Sequence, residues 1–97
     1  MKVRYTDPAL LDFEASIQYL RERAPSLVVD FADSIEKAVA ELIDHPYSAQ
    51  KTQHLGVRRK YIRRFRYSIF YTVEHDEIVI LHIRHAARRQ PWESSDR

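Results

Sequence analysis

The sequence predicts an α+β fold in the order β-α-α-β-β-β, with a helical hairpin packed on one face of a small antiparallel sheet. Two observations carry this prediction. Apolar residues recur every three or four positions up to about residue 44, as in amphipathic helices, and from residue 57 onward they alternate with polar residues, as in strands. The 97 residues accommodate one domain, spanning residues 1–97, because chains divide into several domains only near about 250 residues.

The first strand and the first helix come before Pro25. Val3 and Tyr5 alternate with polar neighbours, which predicts a short strand. Asp7 is placed to cap a helix, and Pro8 fits the first helical turn, where its missing N–H costs nothing. The apolar stripe of this helix, which ends near residue 23, consists of Leu10, Phe13, Ile17 and Leu20.

A second helix follows the break at Pro25, which biases Ala24 away from helical angles. It runs to about Asp44, and His45-Pro46 ends it. Its apolar stripe consists of Leu27, Val28, Phe31, Ile35, Ala38, Val39 and Leu42. The two helices therefore form a hairpin, and residues 47–56 form a polar connection to the sheet.

Three strands are predicted in the second half of the chain, at residues 57–66, 67–73 and 78–83, with a turn at residues 74–77. The strand at 57–66 is charged on both faces, so we expect part of it at an exposed edge or a binding surface. We expect Tyr19, Tyr67 and Tyr71 to pack between the helices and the sheet.

The composition excludes several kinds of site. There is no cysteine, so the chain has no disulfide, no thiolate nucleophile and no Cys-ligated metal centre. The single glycine, Gly56, excludes Gly-rich phosphate loops, which need at least two. No apolar run is long enough for a signal peptide or a membrane span. We therefore expect a cytoplasmic protein that does not contact membranes.

Charge is distributed unevenly along the chain. Residues 1–56 contain 6 Lys/Arg and 9 Asp/Glu, a net −3, whereas residues 57–97 contain 10 and 5, a net +5. Six of the nine residues from Arg58 to Arg66 are cationic. Such a block predicts an anionic partner, either nucleic acid or an acidic protein segment.

The order and spacing of these elements resemble the RelE/ParE superfamily, the toxins of bacterial type II toxin–antitoxin modules. The resemblance covers nearly the whole chain. It rests on the helical hairpin, on Phe65-Arg66-Tyr67 before the first apolar strand, and on His85-x-x-Arg88 followed by Pro91 and Trp92. Arg66 stands where many members of the superfamily have Pro.

The resemblance implies a toxin that arrests growth and is neutralised by a cognate antitoxin. RelE-like members are ribosome-dependent mRNA endoribonucleases, whereas ParE-like members block DNA gyrase. Ser68 occupies the position where the RelE-type nuclease has Arg, and Trp92 the position where it has Tyr, so ParE-type inhibition is favoured over the ribosome and mRNA as target. A third hypothesis is a non-toxic nucleic-acid-binding domain. Whether the chain is an enzyme stays open.

If the chain is a metal-independent nuclease, His85 is the candidate general acid or base, because its unperturbed pKa lies near about 6.5. The candidate phosphate-binding residues are Arg63, Arg64, Arg84 and Arg88. Strand alternation places His82 and His85 on opposite faces, so no metal site is predicted, and no cofactor.

The basic strand has three interpretations: it binds nucleic acid, it binds an acidic antitoxin segment, or it is a solvated face without a partner. Antitoxin docking is the favoured interpretation. The candidate partner-binding residues are Arg58, Arg59, Lys60, Tyr61, Arg66 and Trp92.

Overall fold

The computed structural model describes residues 1–87 and contains two helices packed against a five-stranded sheet. The predicted α+β class is confirmed. In chain order the elements are β1 (Lys2–Tyr5), α1 (Asp7–Arg23), α2 (Val28–Asp44), β2 (Gln50–Lys51), β3 (Arg58–Ile62), β4 (Tyr67–Glu74) and β5 (Glu77–His85). A short 3-10 turn at Pro25–Leu27 joins the helices, and the strand order is β1-β5-β4-β3-β2.

The sheet is mixed, whereas the sequence suggested antiparallel pairing throughout. Strand β1 runs parallel to β5, with Lys2 opposite Glu77 and Tyr5 opposite Ile80, and the other pairs are antiparallel. Alternation identifies a strand but not the direction of its neighbour, which explains the difference. Strand β2 lies within the predicted polar connection, and two residues are too few to show a period.

The predicted strand at 57–66 ends early. Strand β3 stops at Ile62, which pairs with Tyr67 across a turn of residues 63–66. Arg66 adopts a φ of 59°, in the left-handed region, and this reverses the chain. Arg63, Arg64 and Arg66 therefore extend from a turn and not from the faces of a strand. The turn between β4 and β5 is where it was predicted, with positive φ at both His75 and Asp76, as a type I′ turn requires.

Thr6, and not Asp7, caps α1. The Thr6 hydroxyl accepts a hydrogen bond from the Ala9 amide at 3.2 Å, and its own proton points to the carbonyls of Ile80 and Leu81, each at 3.0 Å. Asp7 instead lies in the first turn of the helix, where its charge is favourable to the helix dipole. One side chain therefore starts α1 and attaches it to β5.

The core lies between α2 and the inner face of the sheet. The predicted α2 stripe is buried from Phe31 to Leu42, and the sheet contributes fully buried Ile69, Tyr71, Ile78, Ile80 and Ile83. The stripe of α1 differs from the prediction, because Leu10 is 48% exposed and Ala9 and Ser16 are buried. Tyr67 and Tyr71 pack inside as expected, but Tyr19 is 54% exposed.

Candidate functional site

The face of the sheet opposite the helices carries both apolar and polar side chains, because Phe70 and Val79 are buried on it and polar residues pair with Phe70 on both neighbouring strands. Because Ile69 and Tyr71 face the core, their neighbours Ser68 and Phe70 face the other way. Across the ladder, Ser68 lies opposite Arg84 on β5 and Phe70 lies opposite Arg59 on β3. We call this surface, with Arg59, Tyr61, Ser68, His82 and Arg84, the open face.

A bulge in β5 decides which side chains reach the open face. The register shifts between Phe70 and Tyr71, so Ile80 and Ile83, three residues apart, both point into the core. His82 and Arg84 consequently share the open face. His85 returns to the side of the helices, where it lies beside Tyr67.

Asp12 of α1 holds this part of β5 in place. Its Oδ2 accepts a hydrogen bond from the Ile83 amide at 3.0 Å and lies 3.0 Å from His82 Nδ1 and 3.6 Å from Arg84 Nε. Strand β1 has ended before this point, so the carboxylate takes the place of a strand at the edge of β5. The Asp12 side chain is 13% exposed, which strengthens these contacts relative to surface ion pairs.

The guanidinium of Arg84 is only partly satisfied among the described residues. Its Nη2 lies 3.3 Å from His82 Nδ1, the atom that also contacts Asp12, and its buried Nε has no hydrogen-bond partner. A single imidazole nitrogen cannot donate to Asp12 and accept from Arg84 at once. When it donates to Asp12, the Nη2 group of Arg84 has no acceptor at His82.

Arg59 of β3 lies on the opposite side of Ser68 from Arg84. Its Nε donates to the Ser68 hydroxyl at 2.8 Å, and Ser68 is the cross-strand neighbour of Arg84. The Arg59 guanidinium also lies 5.3 Å from the ring of Tyr61, whose side chain is partly exposed. Two guanidinium groups therefore flank one hydroxyl, an arrangement suited to binding an anion.

The residues predicted for a nuclease do not gather around one point. His85 accepts a hydrogen bond from the Ala87 amide at Nδ1, 3.1 Å away, and its ring meets Tyr67 edge to face at 5.3 Å. Arg84 is on the opposite face. Arg63 and Arg64 lie in the β3–β4 turn, where Arg64 pairs with Asp30 at 3.0 Å. Arg88 lies outside the described residues.

Several residues predicted to bind a partner are held by the protein itself. Arg58 donates to the carbonyls of Tyr47 and Ala49 at 3.0 and 2.8 Å. Lys60 forms a 2.9 Å ion pair with Glu41 on α2, and its hydrogen bond lowers the pKa of that carboxyl. Arg66 is exposed in the turn. Trp92 lies outside the described residues.

The sequence analysis missed Asp12, Ser68 and His82 as members of a site. A signal for Asp12 was present, because Ala9, Asp12, Ser16 and Leu20 recur at helical spacing and Asp12 is the charged member of that stripe. Nothing in the sequence marked the bulge that turns His82 and Arg84 to the open face and not to the core.

Within residues 1–87, no group of three or more His, Asp or Glu side chains is arranged to hold a metal ion. Neither of the helices in this range has the length and apolar character needed to cross a membrane.

Comparisons with known proteins agree with this architecture. The toxin of the chromosomal ParDE system from P. aeruginosa superposes with a TM-score of 0.78 at 23% identity, covering 88% of this chain and 95% of that one. The isolated E. coli RelE toxin gives 0.63 at 13% identity, covering 92% and 87%. A chain of the intact E. coli RelBE toxin–antitoxin complex gives 0.64 at 13% identity, covering 90% and 98%.

Sequence comparison assigns the family. No curated protein matches the chain by sequence. The family model for the ParE toxin of the type II toxin–antitoxin system parDE matches residues 3–90, which is nearly the whole chain. This chain therefore belongs to the ParE toxin family of type II toxin–antitoxin systems.

Proposed function

We propose that this toxin arrests growth by binding and inhibiting DNA gyrase. The observation that carries the proposal is the match of the ParE toxin family model to residues 3–90. The separation of His85 from Arg84 agrees with it, since RNA cleavage by that predicted pair would need the proton-transfer group and the cation on the same side. A gyrase inhibitor acts by contacts alone and needs no such convergence. Membership of the ParE family supports the same target.

The proposal includes a cognate antitoxin that neutralises the toxin. The P. aeruginosa ParDE system and the E. coli RelBE complex each pair a toxin of this fold with an antitoxin. Antitoxin, gyrase and ribosome are all cytoplasmic, and we place the toxin in the same compartment.

The test is induced expression of the full chain, alone and together with the small open reading frame beside its gene. We expect growth arrest, loss of negative supercoiling of a reporter plasmid, and rescue by the neighbouring product. Purified chain should inhibit supercoiling by purified gyrase. Arrest with normal supercoiling and falling protein synthesis would overturn the gyrase proposal.

A matched pair of histidine variants sharpens this test. We expect His85→Ala to keep gyrase inhibition, because no proton transfer is involved, and exposed His45→Ala to behave in the same way. Loss of toxicity in His85→Ala alone, with folding and antitoxin binding retained, would instead support catalysis by His85.

One observation favours the nuclease as a second candidate. His82, and not His85, shares a face with Arg59, Ser68 and Arg84. A ribosome-dependent nuclease of this chain would therefore use His82 for proton transfer. It predicts mRNA cleavage in a translation extract that His82→Ala abolishes. Absence of any growth arrest, with strongly salt-dependent binding of the chain to DNA or RNA, would favour a nucleic-acid-binding domain.

A further inference from the structure

The hairpin between β2 and β3 presents an apolar side chain to solvent. Leu55, in the turn of this hairpin, is 98% exposed, so it has almost no contact with the rest of the chain. Tyr47, which precedes β2, is 64% exposed. The two side chains border one cleft, so they form an apolar patch and are not two isolated surface residues.

The turn that carries Leu55 is fixed by hydrogen bonds. The Val57 amide donates to the His54 carbonyl at 3.0 Å, and Gly56 has a φ of 82°, as the third residue of a type II turn requires. The Thr52 amide donates to the Val57 carbonyl at 3.0 Å, and the Thr52 hydroxyl accepts from the His54 amide at 3.1 Å. Leu55 is therefore held at the surface before any partner binds.

The cleft beside Leu55 has a volume of about 260 Å³. Its lining includes the side chains of Tyr47 and Val73 and the two cations Lys51 and Arg58. Pockets for small-molecule ligands typically measure about 300–1,000 Å³, so this cleft suits a single side chain of a partner. We call Tyr47, Lys51, Leu55 and Arg58 the hairpin surface.

The hairpin surface is positively charged. The sequence contains no Asp or Glu between residues 45 and 73, and none lines the cleft. Arg58 lies 5.3 Å from the ring centre of Tyr47 and donates to the carbonyls of Tyr47 and Ala49, which are neutral acceptors. Within residues 1–87, neither Lys51 nor Arg58 forms an ion pair with a carboxylate. The complementary partner surface is therefore acidic.

A projecting side chain on a fixed turn suits a folded partner with a matching socket. Two preformed surfaces lose little conformational freedom when they bind. Extended or helical segments, in contrast, are bound along sheet edges or in grooves. An aliphatic side chain neither stacks on bases like an aromatic ring nor attracts phosphates, so Leu55 favours a protein over a nucleic acid.

We propose that the hairpin surface is where this toxin contacts gyrase. Leu55 enters an apolar socket of the enzyme, and acidic side chains beside that socket pair with Lys51 and Arg58. Tyr47 extends the apolar contact. This inference rests on the proposed function, because it takes gyrase as the target, and it adds which residues make the contact.

The main test removes the Leu55 side chain. Leu11 is also a largely exposed leucine, but it lies on α1 and does not line the cleft, so Leu55→Ala and Leu11→Ala form a matched pair. Both variants should keep their thermal stability. With purified gyrase, we expect the concentration of toxin that halves supercoiling to rise about tenfold or more for Leu55→Ala, since an apolar contact is lost. Leu11→Ala should stay within about twofold of the unmodified toxin.

A second pair of variants tests the charge. Lys51→Glu should raise the half-inhibitory concentration about fivefold, and the difference from the unmodified toxin should shrink at high salt. Lys37→Glu makes the same change at an exposed position of α2, outside the hairpin surface, and should stay within about twofold.

Equal inhibition of gyrase by Leu55→Ala and Leu11→Ala would overturn the inference and leave the proposed function standing. So would loss of inhibition confined to Lys51→Glu, because a purely electrostatic contact would point to DNA bound by gyrase. Weaker binding of Leu55→Ala to the product of the adjacent open reading frame, with gyrase inhibition unchanged, would also contradict it. If the unmodified chain does not inhibit gyrase, the proposed function itself fails, and the inference fails with it.

Discussion

The two faces of the same three strands are built in different ways. Beneath the helices, Ile69, Tyr71 and Ile80 are fully buried and packed, and close packing carries the stability. On the open face, Arg59, Ser68 and Arg84 are placed by individual hydrogen bonds, and Asp12 reaches over from α1 to complete them. The comparison indicates that substitutions should cost most stability on the covered face, and less at the polar positions of the open face.

The largest change in the free energy of unfolding is expected on the covered face. Phe31 is fully buried and contacts Phe13, Phe65 and Tyr67. Phe31→Ala should lower the free energy of unfolding by about 3–5 kcal/mol. Val29→Ala, two residues away and 68% exposed, should change it by less than about 0.5 kcal/mol. Urea unfolding measures both, and similar costs for the two variants would contradict the assigned core.

A smaller loss of stability is expected at Asp12, which links α1 to the edge of β5. Asp12→Ala removes the acceptor of the Ile83 amide and the partner of His82. It should cost about 1–3 kcal/mol, because buried donors are left unsatisfied. The Ile83 amide should also exchange its hydrogen faster. Exposed Asp33→Ala is the control, and unchanged exchange at Ile83 in Asp12→Ala would argue against the edge contact.

The hydroxyl of Tyr71 gives a pH-dependent prediction for the covered face. It donates to the Pro46 carbonyl at 2.7 Å, and burial raises the pKa of Tyr71 above its usual value of 10.0. Folding thus favours the protonated phenol, so its contribution is complete below pH 10 and is lost as the pH rises through the folded-state pKa.

Tyr71→Phe should cost about 0.5–1.5 kcal/mol at neutral pH. Above pH 10 the difference from the unmodified protein should shrink. Tyr5, whose pKa is raised by burial and by Glu36, remains in the variant as an internal reference. Unfolding curves from pH 7 to 11 provide the measurement, and a constant difference across that range would contradict the mechanism.

The smallest effect on stability is expected at the ion pair between Lys60 of β3 and Glu41 of α2. Lys60→Gln breaks the ion pair with Glu41 but should leave thermal stability nearly unchanged, since exposed pairs contribute little. The pKa of Glu41, lowered by Lys60, should rise towards its usual value of 4.5. An NMR titration of Glu41 in both proteins is the check, and an unchanged pKa would rule out the contact in solution.

Much of the covered face was predictable from the sequence, and little of the open face was. The apolar residues of the α2 stripe recur at helical spacing and those of β4 alternate with polar ones, so the spacing itself predicts which positions are buried. The Arg63–Arg66 turn was not predictable, since its chain reversal uses a positive φ at Arg66, a residue type that rarely marks turns.

The candidate site was harder to predict for a physical reason. Arg84 and Ser68 become neighbours only through the β4–β5 register, and the bulge in β5 changes which of its residues share a face. Asp12 reaches β5 from a distant part of the chain. Such contacts depend on tertiary structure and leave no periodic pattern in the sequence.

The parallel pairing of β1 with β5 has a consequence for biosynthesis. Lys2 to Tyr5 pair with Glu77 to Ile80, which are synthesised much later. Until those residues leave the ribosome, the inner strand of the sheet is missing and β1 has no ladder to join. Such distant pairings slow folding and delay it until β5 has been synthesised. A nascent or truncated toxin lacking β5 should therefore be unfolded and harmless, so that toxicity begins only once β5 has been synthesised.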